Sequence, residues 1–279
     1  MSIWAHTLVK NEQRYLWYAV AAIVGYVDKV LLWDTGSTDD TVGIIKELVK
    51  VYPEKIDFSE VWVKDAQDFP KVRQEMLSRT KADWILMVDG DEVWWEDSIK
   101  KVTETIESKK NSIESIVVPM IYPIGDIYHR QEEKAGKYNL VGKKGHFALR
   151  GVSRNIPGLT STNPHGTWGW TDGEGKMIQD RSPEKILYVE APYLHFSLLE
   201  RSMSREDDVK VIKRARKFKY ELGNSFPKDF YYPEVFFRPR PKIAPSPWIR
   251  MDTKFFMRAA FETPLRKIKR RVWQGKVGY

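Results

Sequence analysis

Two aspartates separated by one glycine, Asp89-Gly90-Asp91, close the apolar run Trp84-Ile-Leu-Met-Val88. At the end of a buried strand such a pair puts two carboxylates near one point, where they repel unless a cation sits there. Hard divalent ions such as Mg²⁺ or Mn²⁺ take oxygen ligands and often bridge to substrate phosphates. A bare Asp-X-Asp is more often a solvated acidic turn; position after a clean strand and the company of similar clusters favour the metal reading here. Asp34-Thr-Gly-Ser-Thr-Asp39 also follows an apolar run, Lys29-Val-Leu-Leu-Trp33. A carboxylate there could hold a nucleoside base or ribose, and Gly36 allows close approach. An ordinary strand-to-helix turn is the plainer reading of the same residues. The third polar cluster is Lys10-Asn11-Glu12, after the short apolar run Ile3 to Val9.

These clusters need elements to hold them. Leu16, Val20, Ile23 and Val24 recur at helical spacing, as do Val42, Ile45, Leu48 and Val49. Ser37 and Asp40 have the spacing of a capping box before the second of these helices. Ile56 to Val63 and Trp84 to Val88 read as further strands, and Asp97 or Ser98 as the cap of a helix reaching about Ser108. Strands alternating with helices predict a mostly parallel sheet covered on both faces. Ligands in such sheets bind outside the carboxyl ends of the strands. The three clusters should therefore share one rim. Later strands are expected at Ile116 to Ile121, His146 to Leu149 and Ile186 to Phe196. One charged amphipathic helix is expected over Leu198 to Leu222, with Val209, Ile212, Ala215 and Phe218 inward. Residues 223–250 read as irregular, and the rest as a basic, partly helical tail broken at Pro264.

Composition narrows the class. With 279 residues and an apolar fraction of 42%, the chain can bury a sizeable core, which excludes a disordered or fibrous protein. The absence of cysteine excludes disulfides and Cys-ligated zinc and fits a reducing cytoplasm. No long uncharged apolar stretch reads as a membrane span, and the start does not read as a signal peptide. The net charge of +8 suggests a polyanionic partner. Its densest part is the tail from Leu265 to Trp273.

Lys10-Asn-Glu12, Trp33-Asp-Thr-Gly-Ser-Thr-Asp-Asp-Thr41, Phe69…Arg73 and Asp83-Trp-Ile-Leu-Met-Val-Asp-Gly-Asp-Glu92 together resemble the family-2 glycosyltransferases of the GT-A fold. The resemblance covers about the first 95 residues, ordered and well spaced. It implies an α/β, Rossmann-like GT-A domain over residues 1–197, with a donor half of about 1–110 and an acceptor half of about 111–197. A C-terminal helical, basic extension over 198–279 would follow. The implied activity is metal-dependent, inverting transfer of a sugar from a nucleoside diphosphate, most simply a UDP-sugar, to a glycan or lipid-linked acceptor. The resemblance assigns Asn11, Glu12, Asp34, Arg73 and Asp89 to the donor. Asp89 and Asp91 would hold Mn²⁺ or Mg²⁺, and His195 in Tyr193-Leu-His-Phe-Ser197 is a further metal or diphosphate ligand.

Three departures bear on the mechanism. Thr35 stands where many relatives have a second Asp, which leaves the base open. Arg73 is followed by Gln74 rather than Asn. His165-Gly166 replaces a His-Glu pair common near the acceptor, so the catalytic base is expected in Trp168-Gly-Trp-Thr-Asp-Gly-Glu174, at Asp172 or Glu174. A sugar-phosphate nucleotidyltransferase is the runner-up, disfavoured because Lys10-Asn-Glu12 replaces its Gly-rich, arginine-containing loop. A catalytically inactive binding protein of the same fold is the other alternative. The tail reads as a solvated face or as a membrane-surface contact, on which Phe255, Phe256, Phe261, Ile268, Val272 and Trp273 mix with cations. It carries no nucleic-acid motif. The expected location is cytoplasmic, peripheral on the inner face of a membrane.

Overall fold

The computed structural model describes residues 1–272. Trp273 and the rest of the tail lie outside the described residues. The main sheet contains β1 (Ile3–Val9), β2 (Lys29–Asp34), β3 (Ile56–Glu60), β4 (Trp84–Met87), β5 (Glu92–Trp94), β6 (Ser115–Ile121), β7 (Phe147–Ser153), β8 (Ile186–Tyr188) and β9 (Tyr193–His195). Its order is β3-β2-β1-β4-β7-β6-β9-β5, with β8 also paired to β6. Five pairings are parallel and three antiparallel. The expected mostly parallel α/β sheet is therefore present. β1, β2 and β4 are buried along nearly their whole length. Strands covered on both faces read as continuous apolar runs for that reason.

The sheet is flanked by α1 (Leu16–Ile23), α2 (Thr41–Val51), α3 (Phe69–Arg79) and α4 (Glu96–Lys109). The expected capping box does not form. Ser37 instead donates its hydroxyl to Asp34. The start of α2 is tied by Asp39, which accepts from the Thr41 amide at 3.0 Å. α4 likewise starts at Glu96, with no side-chain cap from Asp97 or Ser98.

The single helix expected over 198–222 is absent. In its place are the short helix α5 (Arg205–Val209) and a turn of 3₁₀ helix at Arg214–Arg216, separated by Lys213 at φ 62°. The cause is a buried carboxylate. Asp208 is fully buried and accepts from the backbone amides of Arg201 and Ser202 and from the Arg214 guanidinium. Satisfying that charge turns the chain about Asp208, leaving Val209, expected inside, 51% exposed. The C-terminal helix α6 (Thr253–Val272) runs through Pro264 instead of breaking there. Pro264 faces solvent. Contacts on both sides hold the helix: Thr263 accepts from the Leu222 amide at 2.7 Å, and Arg270 pairs with Glu221. These ties offset the backbone hydrogen bond that a helical proline removes.

Candidate functional site

Parallel register brings the three polar clusters to one rim. Val9 pairs with Asp34 across β1 and β2, and His6 pairs with Met87 across β1 and β4. The loop after β1 and the loop after β2 are cross-linked. Asn11, at φ 53°, accepts from the Thr38 amide at 2.7 Å and donates its own amide to the Ser37 hydroxyl at 2.8 Å. Its side-chain nitrogen donates to the Asp207 carbonyl at 2.7 Å. Asn11 is fully buried, so its side chain latches loops together. Asp34 is spent similarly: one oxygen accepts from the amides of Gly36 and Ser37, each at 2.9 Å. Of this part of the rim, Lys10, Glu12 and Thr35 line the cleft.

That cleft has a volume of about 870 Å³. Asp89 and Asp91 line it. Gly90 is required between them by close approach: an added Cβ would meet Val9 Cγ1 at 2.8 Å and Glu12 Cγ at 3.0 Å. The Asp89 side chain is 37% exposed and accepts from Arg73 Nη2 at 3.1 Å, with Arg150 Nη2 3.8 Å away. Arg73 packs beside the edge-to-face pair Phe69 and Trp168, its guanidinium 5.3 and 5.0 Å from their ring centroids. Asp91 is almost fully buried; its Oδ2 accepts from Arg201 Nη1 at 2.5 Å and lies 3.5 Å from His195 Nε2. The antiparallel pairing of His195 with Glu92 places this histidine beside the two aspartates.

The electrostatics separate two acids that share one arginine. Arg201 Nη1 lies 3.1 Å from Glu12 as well as beside Asp91. Burial pushes Glu12 up to about 8, against the pull of Arg201 and Arg214. Burial opposes ionisation of Asp91 too, yet Arg201 and His195 overcome it and hold the carboxyl well below the usual range. The charge of the pair therefore resides on Asp91. Burial lowers His195, against the pull of Asp91.

Carboxylates are the donors a hard divalent ion takes, and an imidazole nitrogen can complete the set for a less hard ion such as Mn²⁺. Asp89, Asp91 and His195 fit in kind. Among the described residues no three His, Asp or Glu side chains are yet grouped closely enough to hold a metal. Arg201 stands on the Asp91 oxygen that His195 faces. Among the described residues, eight basic side chains and three acidic ones line the cleft, an excess suited to a polyanion. The acids are Glu12, Asp89 and Asp91.

Asp172 and Glu174 are not brought to this cleft. Asp172 is buried, pairs with Arg181 and accepts from the amides of Glu174 and Lys176 at 3.1 and 2.9 Å. Glu174 is exposed on the turn that Asp172 braces. Of the two tryptophans beside them, Trp168 lines the cleft, whereas Trp170 is buried in the core. Sequence reasoning missed Arg150, Arg201, Arg214 and Lys217. The last three lie in the stretch read as one helix, whose helical period hid them. The available signal was the density of arginines just after His195.

The model of glycosyl transferase family 2 matches residues 6–164, and the chain belongs to that family. It is similar to the SPbeta prophage-derived glycosyltransferase SunS of Bacillus subtilis, 28% identical over 41% of this chain and 26% of that protein. It is also similar to a TPR repeat-containing protein of Synechococcus elongatus, 25% identical over 57% of this chain and 33% of that protein. The chain thus spans about a quarter to a third of the curated relatives it matches. Among solved structures, TarS of S. aureus is similar at 14% identity and a TM-score of 0.45, over 78% of this chain and 65% of that one. Glucosyl-3-phosphoglycerate synthase of Mycobacterium tuberculosis, solved with Mg²⁺ and UDP, is similar at 15% identity and a TM-score of 0.45, over 70% and 71%.

Proposed function

We propose that the chain is a divalent-metal-dependent transferase that moves a sugar from a nucleoside diphosphate, a UDP-sugar first, to a glycan or lipid-linked acceptor. The observation that carries this is the convergence of Asp89, Asp91, His195 and Arg73 at the carboxyl ends of a parallel sheet, in a chain of family 2. Asp89, Asp91 and His195 would hold the ion, which when bound neutralises the diphosphate as it leaves. The chain's own residues do the rest. Arg73 and Arg150, already beside Asp89, supply fixed donors where negative charge grows. Thr35 and Lys10, at the nucleoside end of the rim, line the place for the base and ribose. Trp168, beside Arg73 on the cleft wall, would offer its aromatic ring to the sugar. Inversion at the anomeric carbon is carried over from the family resemblance.

A thermal-shift screen of UDP-, GDP-, dTDP- and CMP-sugars with Mn²⁺ tests the reading. Stabilisation by one of them, lost in Asp91→Asn, supports it. No stabilisation by any of the four would overturn it.

A further inference from the structure

Helix α6 buries one face and leaves the opposite face apolar. The seated face carries Phe255 against Gly125, buried Ala259 and Thr263, and Arg266 and Arg270. On the far side Met257, Phe261, Leu265, Ile268 and Val272 are spaced 4, 4, 3 and 4 residues apart, which places them along one stripe of a helix. All five are more than half exposed, Phe261 at 76% and Val272 at 81%. A soluble helix ordinarily turns such a stripe inward; this one has already turned its other face inward.

The charges flank the stripe. Between residues 253 and 272 there are seven Lys or Arg and one acid, Glu262. Glu262 is spent on Arg258 and Arg266. Lys267, Lys269 and Arg271 border the stripe on its two sides and have no carboxylate partner among the described residues. Phe256 adds a further apolar side chain, 51% exposed. No helix of the described residues is long and apolar enough to cross a membrane. An apolar stripe bordered by free cations is suited to lying in the plane of an anionic bilayer, with the stripe among the acyl chains and the cations at the headgroups. A second protein copy would set Lys254, Lys267, Lys269 and Arg271, unpaired among the described residues, against the same four of its own, which the like charge disfavours.

We infer that α6 is an in-plane membrane anchor that recognises an anionic lipid surface. Its seat explains what this achieves. Arg266 donates to the Tyr220 carbonyl at 3.2 Å, and Arg270 pairs with Glu221. The same segment, three residues earlier, carries Lys217 on the wall of the cleft. Docking α6 therefore holds the chain at the membrane surface, where an acceptor carried by that membrane is concentrated. The anchor itself operates whatever reaction the cleft performs.

The test is co-sedimentation of the full chain, without donor or metal, with vesicles of phosphatidylcholine and phosphatidylglycerol in equal parts, against phosphatidylcholine alone. The chain is expected to sediment with the mixed vesicles only, and less as salt is raised. Phe261→Ser with Leu265→Ser should lower binding at least tenfold. Lys267→Glu with Lys269→Glu should lower it by roughly fivefold per cation removed. None of these positions lines the cleft, so nucleotide-sugar stabilisation should persist in both variants. Failure of the anchor is thus distinguishable from failure of the transferase reading. Absence of sedimentation, equal binding to both vesicles, or full binding by the serine variant would overturn the inference. So would a dimer in sedimentation velocity that the serine variant abolishes, because the stripe would then be covered by a second copy.

Discussion

Arg201 donates to Asp91 at 2.5 Å through the same oxygen that faces His195. A guanidinium thus stands where the proposed divalent ion would draw charge from Asp91, and the two cations compete for one carboxylate. Arg201→Gln removes the competitor and leaves Asp91 near Glu12 with less compensation. Breaking a buried pair in this way costs about 3–5 kcal/mol. The variant should melt below the parent without metal, and millimolar Mn²⁺ should raise its midpoint more than the parent's. Equal shifts in the two proteins would remove Arg201 from the metal's place.

Arg73 is fixed by Asp89 and by the adjoining rings of Phe69 and Trp168. Lysine keeps the charge yet loses the planar fork that contacts all three. If Arg73 faces the diphosphate as charge develops, Arg73→Lys should lower turnover by about a hundredfold, the usual cost of losing one pre-aimed donor. The thermal midpoint should change far less than turnover does. Steady-state kinetics beside a melting curve separate the two effects.

What the residues declared in advance follows a physical divide. The apolar runs of β1, β2 and β4 announce themselves because strands buried on both faces have no polar alternation to blur them. Local register then dictates the rim, so Asp89 and Asp91 and their approach to β1 were legible. His195 was legible only through family pattern, since its partner Glu92 lies about a hundred residues away and no local period links them. Arg201 and Arg214 were illegible. Their roles depend on a buried carboxylate, Asp208, that turns the chain inward against its own helical periodicity. At Asp34 residue type and position suggested ligand binding, and its folded role also includes one oxygen accepting from the amides two and three residues on.

Acid should destabilise the fold through two histidines. His6 is fully buried, with Nε2 2.7 Å from the Thr80 hydroxyl; burial, helped by Arg73, lowers it to about 3. Burial and then Lys217 lower His165 to about 4. The unfolded chain takes up protons near pH 6.5, while the folded chain refuses them until far lower. Stability is therefore full above pH 6.5 and is lost as pH falls from there toward 3. At about 1.4 kcal/mol per unit of pH, His6 alone accounts for a few kcal/mol by pH 4. Urea melts at pH 7, 5.5 and 4.5 should show a falling midpoint, with a shallower fall in His6→Gln.

Asp172 and Glu174, the acids expected as the base, both lie outside the residues that line the cleft. Asp172 pairs with Arg181 and accepts from two backbone amides, which leaves its carboxylate no free direction toward the cleft. Arg181 in turn donates to Glu114 at 2.7 Å, so the carboxylate ties the loop to the strand region before β6. Asp172→Asn should lower the thermal midpoint, because asparagine keeps one acceptor oxygen and loses the ionic partner. It should leave turnover per folded molecule within a few-fold of the parent. Glu174→Gln, on the exposed turn, should change neither stability nor turnover. Loss of transfer with an unchanged melting curve in either variant would restore that acid as the base and would require the loop to reach the cleft when an acceptor binds.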